Sequence, residues 1–226
     1  MKQLFLLLFA GILTHTAYAQ KSTLPHFRFV VNGGYSYRLG KISSQITGDA
    51  LTYMRKLKSG FNIGADAMYY FNETLGAGIK YNRFQSSQSG VIPIEYNGSR
   101  IRTNVMDNIA INFIAPSFVV RIFDAKDRNS LHMNMALGYL GFRDNGWVNH
   151  GKVILTGGTV GVGLDFGYDI RINRMLSAGA QLSLINGKLT SYMQEDESGR
   201  RKITLQDDET ENLGHLNISL GLRLNI

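Results

Sequence analysis

The chain has 226 residues, 25 glycines, 12 Phe and 11 Tyr but only three prolines, and a formal net charge of +7. With a mean hydropathy of −0.10 it is too polar for a bundle of membrane helices and too apolar for a disordered chain. The absence of cysteine excludes structural disulfides and a lipid-modified N-terminal Cys, so the fold must hold by packing and hydrogen bonds.

The first element is a leader. Met1-Lys2-Gln3 is followed by an apolar run from Leu4 to Leu13, and Ala17-Tyr18-Ala19 has the small-x-small form a signal peptidase accepts. Cleavage is expected before Gln20, giving a signal peptide over 1–19 and one domain over 20–226. The apolar run is shorter than the roughly 20 residues a spanning helix needs. Removing nineteen residues from 226 leaves 207, with one positive charge (Lys2) gone and no linker dividing the rest. Nucleic acid is not an expected partner of an exported chain, and no cofactor is expected.

From Phe27 onward the pattern has a period of two, which sends alternate side chains to opposite faces of a strand. Phe27, Phe29, Val31, Tyr35 and Tyr37 oppose Arg28, Asn32, Ser36 and Arg38. Phe61, Ile63, Ala65, Ala67, Tyr69 and Phe71 oppose Asn62, Gly64, Asp66 and Tyr70, and Leu75, Ala77, Ile79 and Tyr81 oppose Lys80 and Asn82. A fourth segment breaks parity: if Ile109, Ile111 and Phe113 face lipid, Arg121 does too, at a cost of about 2–4 kcal/mol. A one-residue bulge at Ala115-Pro116 would restore Phe118, Val120 and Ile122 to the apolar face and turn Arg121 inward. Leu131 to Tyr139, Val160 to Ile170, Leu176 to Leu184 and Leu216 to Ile226 complete eight segments near the roughly ten residues that cross a bilayer at a tilt.

The connections alternate in length. Asn72 to Thr74, Phe123 to Ser130 and Arg171 to Met175 are short; 39–59, 84–103, 143–156 and 187–213 are long. Short periplasmic turns and long external loops are the asymmetry of transmembrane barrels, which puts both termini in the periplasm. Tyr35, Tyr37, Tyr81 and Tyr139 then form an outer aromatic girdle, and Phe27, Tyr69, Phe71 and Tyr168 an inner one. The reading is all-β: an eight-stranded antiparallel up-and-down transmembrane β-barrel.

These features, with the terminal His215-Leu216-Asn217-Ile218-Ser219-Leu220-Gly221-Leu222-Arg223-Leu224-Asn225-Ile226, resemble small outer-membrane β-barrel proteins of the OmpA membrane-domain and OmpX type. Ile114-Ala115-Pro116-Ser117-Phe118 is similar to a segment of small barrels from Bacteroidota-type bacteria. The resemblance implies recognition by the barrel assembly machinery, which in that family commonly reads an aromatic last residue; here it is Ile226.

The inward residues Arg28, Asp66, Lys80, Asp107, Arg121, His132, Asp165, Asp169 and Arg223 form the candidate site, a lumen polar network. An eight-stranded barrel is just wide enough for side chains to fill, so a hydrogen-bonded plug outweighs an ion path. Counting from the turns sets Asp66 opposite Lys80, Arg121 opposite His132 and Asp165 opposite Gln181. His26, His132, His150 and His215 lie on or beside four different strands without metal-ligand spacing. No Ser is forced next to His132, which disfavours a lipid A-modifying enzyme.

Loop cations (Lys41, Arg55, Lys56, Lys58, Arg83, Arg100, Arg102, Arg143, Lys152) suit lipopolysaccharide phosphates or plain solvation. Glu195-Asp196-Glu197 and Asp207-Asp208-Glu209, separated by Arg200-Arg201-Lys202, lack the spacing of a calcium loop. Tyr53, Tyr96 and Trp147 are candidate anchors for a protein partner. The glycines at 157, 158, 161, 163 and 167 are read as room for large lumen neighbours, and Asn97-Gly98 as a turn. The expected function is non-enzymatic: envelope support or display of four external loops to outer-membrane lipid, lipopolysaccharide or a surface partner. A narrow channel, a lipid A-modifying enzyme and a soluble lipocalin-like barrel are the rivals.

Overall fold

The computed structural model describes residues 25–96, 99–125, 128–149, 151–206 and 210–226. The leader, the Asn97-Gly98 turn, His150 and Asp207 to Glu209 lie outside the described residues. The strands are β1 (Phe27–Arg38), β2 (Ser59–Tyr70), β3 (Leu75–Tyr96), β4 (Ser99–Phe123), β5 (Asn129–Val148), β6 (Gly151–Arg171) and β7 (Leu176–Asn186). Then come the short β8 (Lys188–Leu189), β9 (Ser191–Asp196), β10 (Gly199–Thr204) and β11 (Glu211–Asn212), and last β12 (His215–Asn225). A helix, α1 (Gly48–Leu57), lies between β1 and β2.

Each of β1 to β6 pairs antiparallel with the next, and β12 pairs with both β7 and β1. Eight strands thus close a ring, and closure leaves no open sheet edge for lipid to meet. Outside the ring wall the side chains are apolar and exposed: Leu220 is 70% exposed, Val160 69% and Val31 64%. Both rows of aromatics lie on this outer surface, with Tyr35 and Tyr139 toward one rim and Phe27, Phe71 and Tyr168 toward the other. Polar residues point inward, Arg223 and Asn217 without any exposure. A soluble lipocalin-like barrel has the reverse arrangement, apolar inside, and is thereby set aside. The chain is a transmembrane β-barrel.

The short connections are stiffened by their own side chains. Asn72 Oδ1 accepts the N–H groups of Thr74 (2.9 Å) and Leu75 (2.7 Å), and Asn173 Oδ1 those of Met175 (2.9 Å) and Leu176 (2.8 Å). An Asn carbonyl used this way imitates a backbone turn. Two of the long connections differ from expectation. Residues 84–96 and 99–103 continue β3 and β4, and 143–148 and 151–156 continue β5 and β6, so these are hairpins that stand above the membrane rather than loops. Asn149, with φ of 48°, supplies the left-handed residue at one tip. Backbone pairing satisfies the amides of a long hairpin without any apolar alternation, which is why the hydropathy pattern did not show it.

The fourth segment also differs. The registers of β3 with β4 and of β4 with β5 run without a slip from Leu75↔Val120 to Tyr96↔Ser99 and from Ile109↔Asp144 to Phe123↔Ser130. No bulge sits at Ala115-Pro116. Ile109, Ile111 and Phe113 face inward with Arg121, while Ile114, Phe118 and Ile122 face out. The physical reason is that the lumen is not polar throughout. Above the charged layer, Phe84, Ile111, Phe113, Leu140, Phe142, Ile185, Leu189 and Leu213 pack into an apolar core. Small residues make this fit: a Cβ on Gly163 would lie 2.9 Å from the Phe113 ring.

Helix α1 roofs that core. Asp49 in its first turn and Arg55 and Lys56 in its last match the helix dipole, and Tyr53 and Leu57, one turn apart, are its buried face. Tyr53, a candidate partner anchor in the sequence, is instead turned into the protein. It is 6% exposed, and Gly90 of β3 leaves the space its ring fills.

Candidate functional site

The polar layer occupies the half of the lumen nearer the short turns. Lys80 reaches Asp165 Oδ2 at 2.9 Å and Asp66 Oδ1, its register partner, at 3.7 Å. One turn-ward step along the barrel, Asp169 gathers three basic side chains. Arg28 Nη2 donates to Oδ2 at 2.7 Å, His132 Nε2 lies 3.0 Å from the same oxygen, and Arg223 Nε lies 2.8 Å from Oδ1. Arg121 closes the rim below: its guanidinium stacks 3.7 Å over the Tyr70 ring, and it donates to the backbone carbonyls of Glu73 and Pro25. Arg121 faces His132 across the β4–β5 ladder, as counted from the turn.

Asp165 faces Ser183, not Gln181, which pairs with Gly167 instead. The β6–β7 turn closes with Ile172 N–H donating to Leu176 O, so Arg171 meets Ser177 and the register moves by two residues from the count. Asp107 does not join the network. It sits on the extended part of β4 beyond the apolar core, where it accepts the Tyr53 hydroxyl at 2.7 Å.

The network leaves little empty space. Among the described residues, the void between Arg28, Asp66, His132, Asp165 and Gln181 has a volume of about 10 Å³, room for a single water. Four cationic groups (Arg28, Lys80, Arg121, Arg223) stand among three carboxylates (Asp66, Asp165, Asp169), all 6% exposed or less. Opposite charges with hydrogen bonds are the arrangement that makes such burial tolerable.

Sequence reasoning missed one neighbour. Ser130 Oγ lies 2.8 Å from His132 Nε2, because residues two apart on a strand share a face. Asp169 contacts the same nitrogen, while Nδ1 faces the Tyr70 hydroxyl at 3.3 Å. A nucleophile–base–orienter relay needs the acid and the hydroxyl on opposite ring nitrogens. Here both compete for one.

Farther up, Asp144 accepts the backbone N–H of Asn108 at 3.1 Å. It lies five residues beyond Tyr139 on β5, about 16 Å of strand at 3.3 Å per residue, and so outside the bilayer. Burial, together with the nearby Asp107, holds its carboxyl up at about 7; burial also raises Asp107.

A ring of eight antiparallel strands, an apolar outer wall between two aromatic rows and a lumen packed with paired charges define the chain as having the fold of small outer-membrane β-barrels. Solved structures share it. The Neisserial surface protein A matches at 14% identity over 88% of this chain and 97% of its own, with a TM-score of 0.51. A major outer membrane protein of Thermus thermophilus matches at 11% identity over 88% and 99%, TM-score 0.51. The outer membrane protein OprG of Pseudomonas aeruginosa matches at 8% identity over 90% and 98%, TM-score 0.50. At these identities the likeness is one of fold. No protein-family model and no curated protein sequence matches the chain.

Proposed function

We propose that this chain is a closed, non-enzymatic barrel of the bacterial outer membrane, with its short turns and both termini in the periplasm and its long hairpins displayed outside. The observation that carries this reading is the pairing of an apolar outer wall with a charge-packed lumen whose void holds no more than one water. Such a barrel holds its place in the bilayer but offers no aqueous path. Its contribution then lies at the long-hairpin rim, in contact with outer-membrane lipid, lipopolysaccharide or a surface partner. Exposed Arg102 and Arg201, each paired with an aspartate (Asp49, Asp196), and Arg200 and Lys202 on either side of Arg201 are the groups suited to phosphate. The Ser130–His132–Asp169 geometry argues against acyl transfer, since Ser130 and Asp169 share one imidazole nitrogen.

A channel is the second reading, favoured by one observation: Lys80 spans between two carboxylates on different strands, at 2.9 and 3.7 Å, so an exchange of partners alters the lumen. The experiment is fractionation of host membranes with heat-modifiable migration on a detergent gel, followed by planar-bilayer recording of the purified protein. An outer-membrane, boiling-sensitive band without unit conductance is the expected result. Discrete conductance from the wild-type chain transfers the assignment to the channel.

A further inference from the structure

Between the apolar core and the rim lies a cavity of about 330 Å³, within the size range of small-molecule pockets. Its apolar walls come from α1 (Met54, Leu57), from β4 and β5 (Ile109, Phe142) and from the last connection (Leu189, Tyr192). The core below seals it from the lumen network, so it is a blind pocket rather than part of a path.

The charges around it are unevenly matched. Arg38 of β1 pairs with Glu211, and Lys58 stacks over the Tyr37 ring with Nζ 4.9 Å from its centre. Asp107 and Asp144 make no ion pair with any described residue; their only partners are the Tyr53 hydroxyl and the Asn108 N–H. Asp144 is 8% exposed, and two such carboxylates close enough to repel are relieved by a cation. Arg38, also 8% exposed, leaves its Nε buried without a hydrogen-bond partner. A buried donor of this kind is costly until an acceptor reaches it.

We infer that this cavity is a binding site for a small amphiphilic amine, its apolar ring or chain against Leu57 and Phe142, its ammonium group at Asp107 and Asp144, and an acceptor oxygen available to Arg38 Nε. The inference stands apart from the role proposed for the barrel as a whole, because it requires only the cavity and its lining. Lysines 41 and 58 lie at the mouth and oppose a cation there, so selectivity depends on the depth of the two aspartates. Because the Asp144 carboxyl ionises near 7, binding of an ammonium strengthens as pH rises from 5 to 8, with Asp107 acting in the same direction. Arg38, Glu211, Lys41 and Lys58 are the other charged groups that line the cavity.

The test uses the full chain purified from membranes and held in amphipol, titrated calorimetrically with tyramine, 4-ethylphenol and 3-(4-hydroxyphenyl)propionate. These three share a phenol and differ in carrying an amine, no charge or a carboxylate. Saturable tyramine binding at pH 8 is expected, at least tenfold tighter than either comparator and at least tenfold weaker at pH 5. Asp144→Asn is expected to lower tyramine affinity at least tenfold while leaving the heat-modifiable band intact. Equal or tighter binding of the propionate, no saturable tyramine binding, or a folded Asp144→Asn chain with unchanged affinity overturns the assignment. If that variant does not fold, the three-probe comparison on the unaltered chain decides.

Discussion

Lys80 on β3 places its Nζ 2.9 Å from Asp165 on β6, across the lumen, closer than the 3.7 Å to Asp66, which faces it on the adjacent strand. The contact joins strands that are not neighbours in the ring. It therefore ties the two sides of the barrel together where ladder hydrogen bonds join only adjacent strands.

Removing this cation strands two buried carboxylates. Lys80→Met is expected to destabilise the barrel by about 3–5 kcal/mol, the usual cost of breaking a buried pair from one side. Adding Asp165→Asn should return part of that loss. Urea unfolding of the refolded proteins, followed by the heat-modifiable band, measures both; a double variant no better than the single one contradicts the pairing.

The protonation of Asp144 makes stability depend on pH. Its folded value, about 7, lies above the ordinary aspartate value near 3.9, so between about pH 4 and 7 the folded chain keeps a proton that the unfolded chain has released. Stability contributed by this group is therefore full below pH 4 and falls as pH rises to 7. Asp144→Asn keeps an acceptor for Asn108 N–H but no charge, and is expected to raise stability by about 2 kcal/mol at pH 8 with little effect at pH 4. Unfolding midpoints at the two pH values check it.

Gly163 is the space into which Phe113 fits. Gly163→Val introduces atoms where a Cβ alone would stand 2.9 Å from the ring, and a cost of about 1–3 kcal/mol is expected from overpacking. Phe113→Leu in the same chain should recover part of it. Urea midpoints of the three variants decide, and additive losses refute a shared space.

Leu220, 70% exposed on the outer wall near the middle of β12, tests the lipid face. Leu220→Arg is expected to cost about 2–4 kcal/mol in a bilayer, whereas Ser219→Ala, on the inward face, should lose only the hydrogen bond to Asn62, about 1 kcal/mol. Refolding yield into vesicles distinguishes them; equal yields place the bilayer elsewhere.

Much of this protein is legible in its sequence because two constraints act locally. A strand with lipid on one side and a lumen on the other alternates at every residue, so seven of the eight segments could be assigned to faces one by one. Turn length then sets register, which is how Asp66 met Lys80 and Arg121 met His132. The Asp165 register slipped because the Asn173 turn takes up more residues than a count of polar positions shows.

What the tertiary structure alone decided lies above the membrane and across the ring. Ile109, Ile111 and Phe113 look the same in sequence whether they face lipid or an apolar core, and only the surrounding Phe84, Leu140 and Ile185 settle that they face in. Residues 84–103 and 143–156 pair as hairpins through backbone groups, which every residue type carries equally. Tyr53 and Asp107 meet although they are 54 residues apart. The sequence by itself determined the barrel because alternation is written into each strand; the tertiary structure decided the apolar core, the roofed cavity and the convergence on Asp169, because those depend on distances between strands that no local pattern encodes.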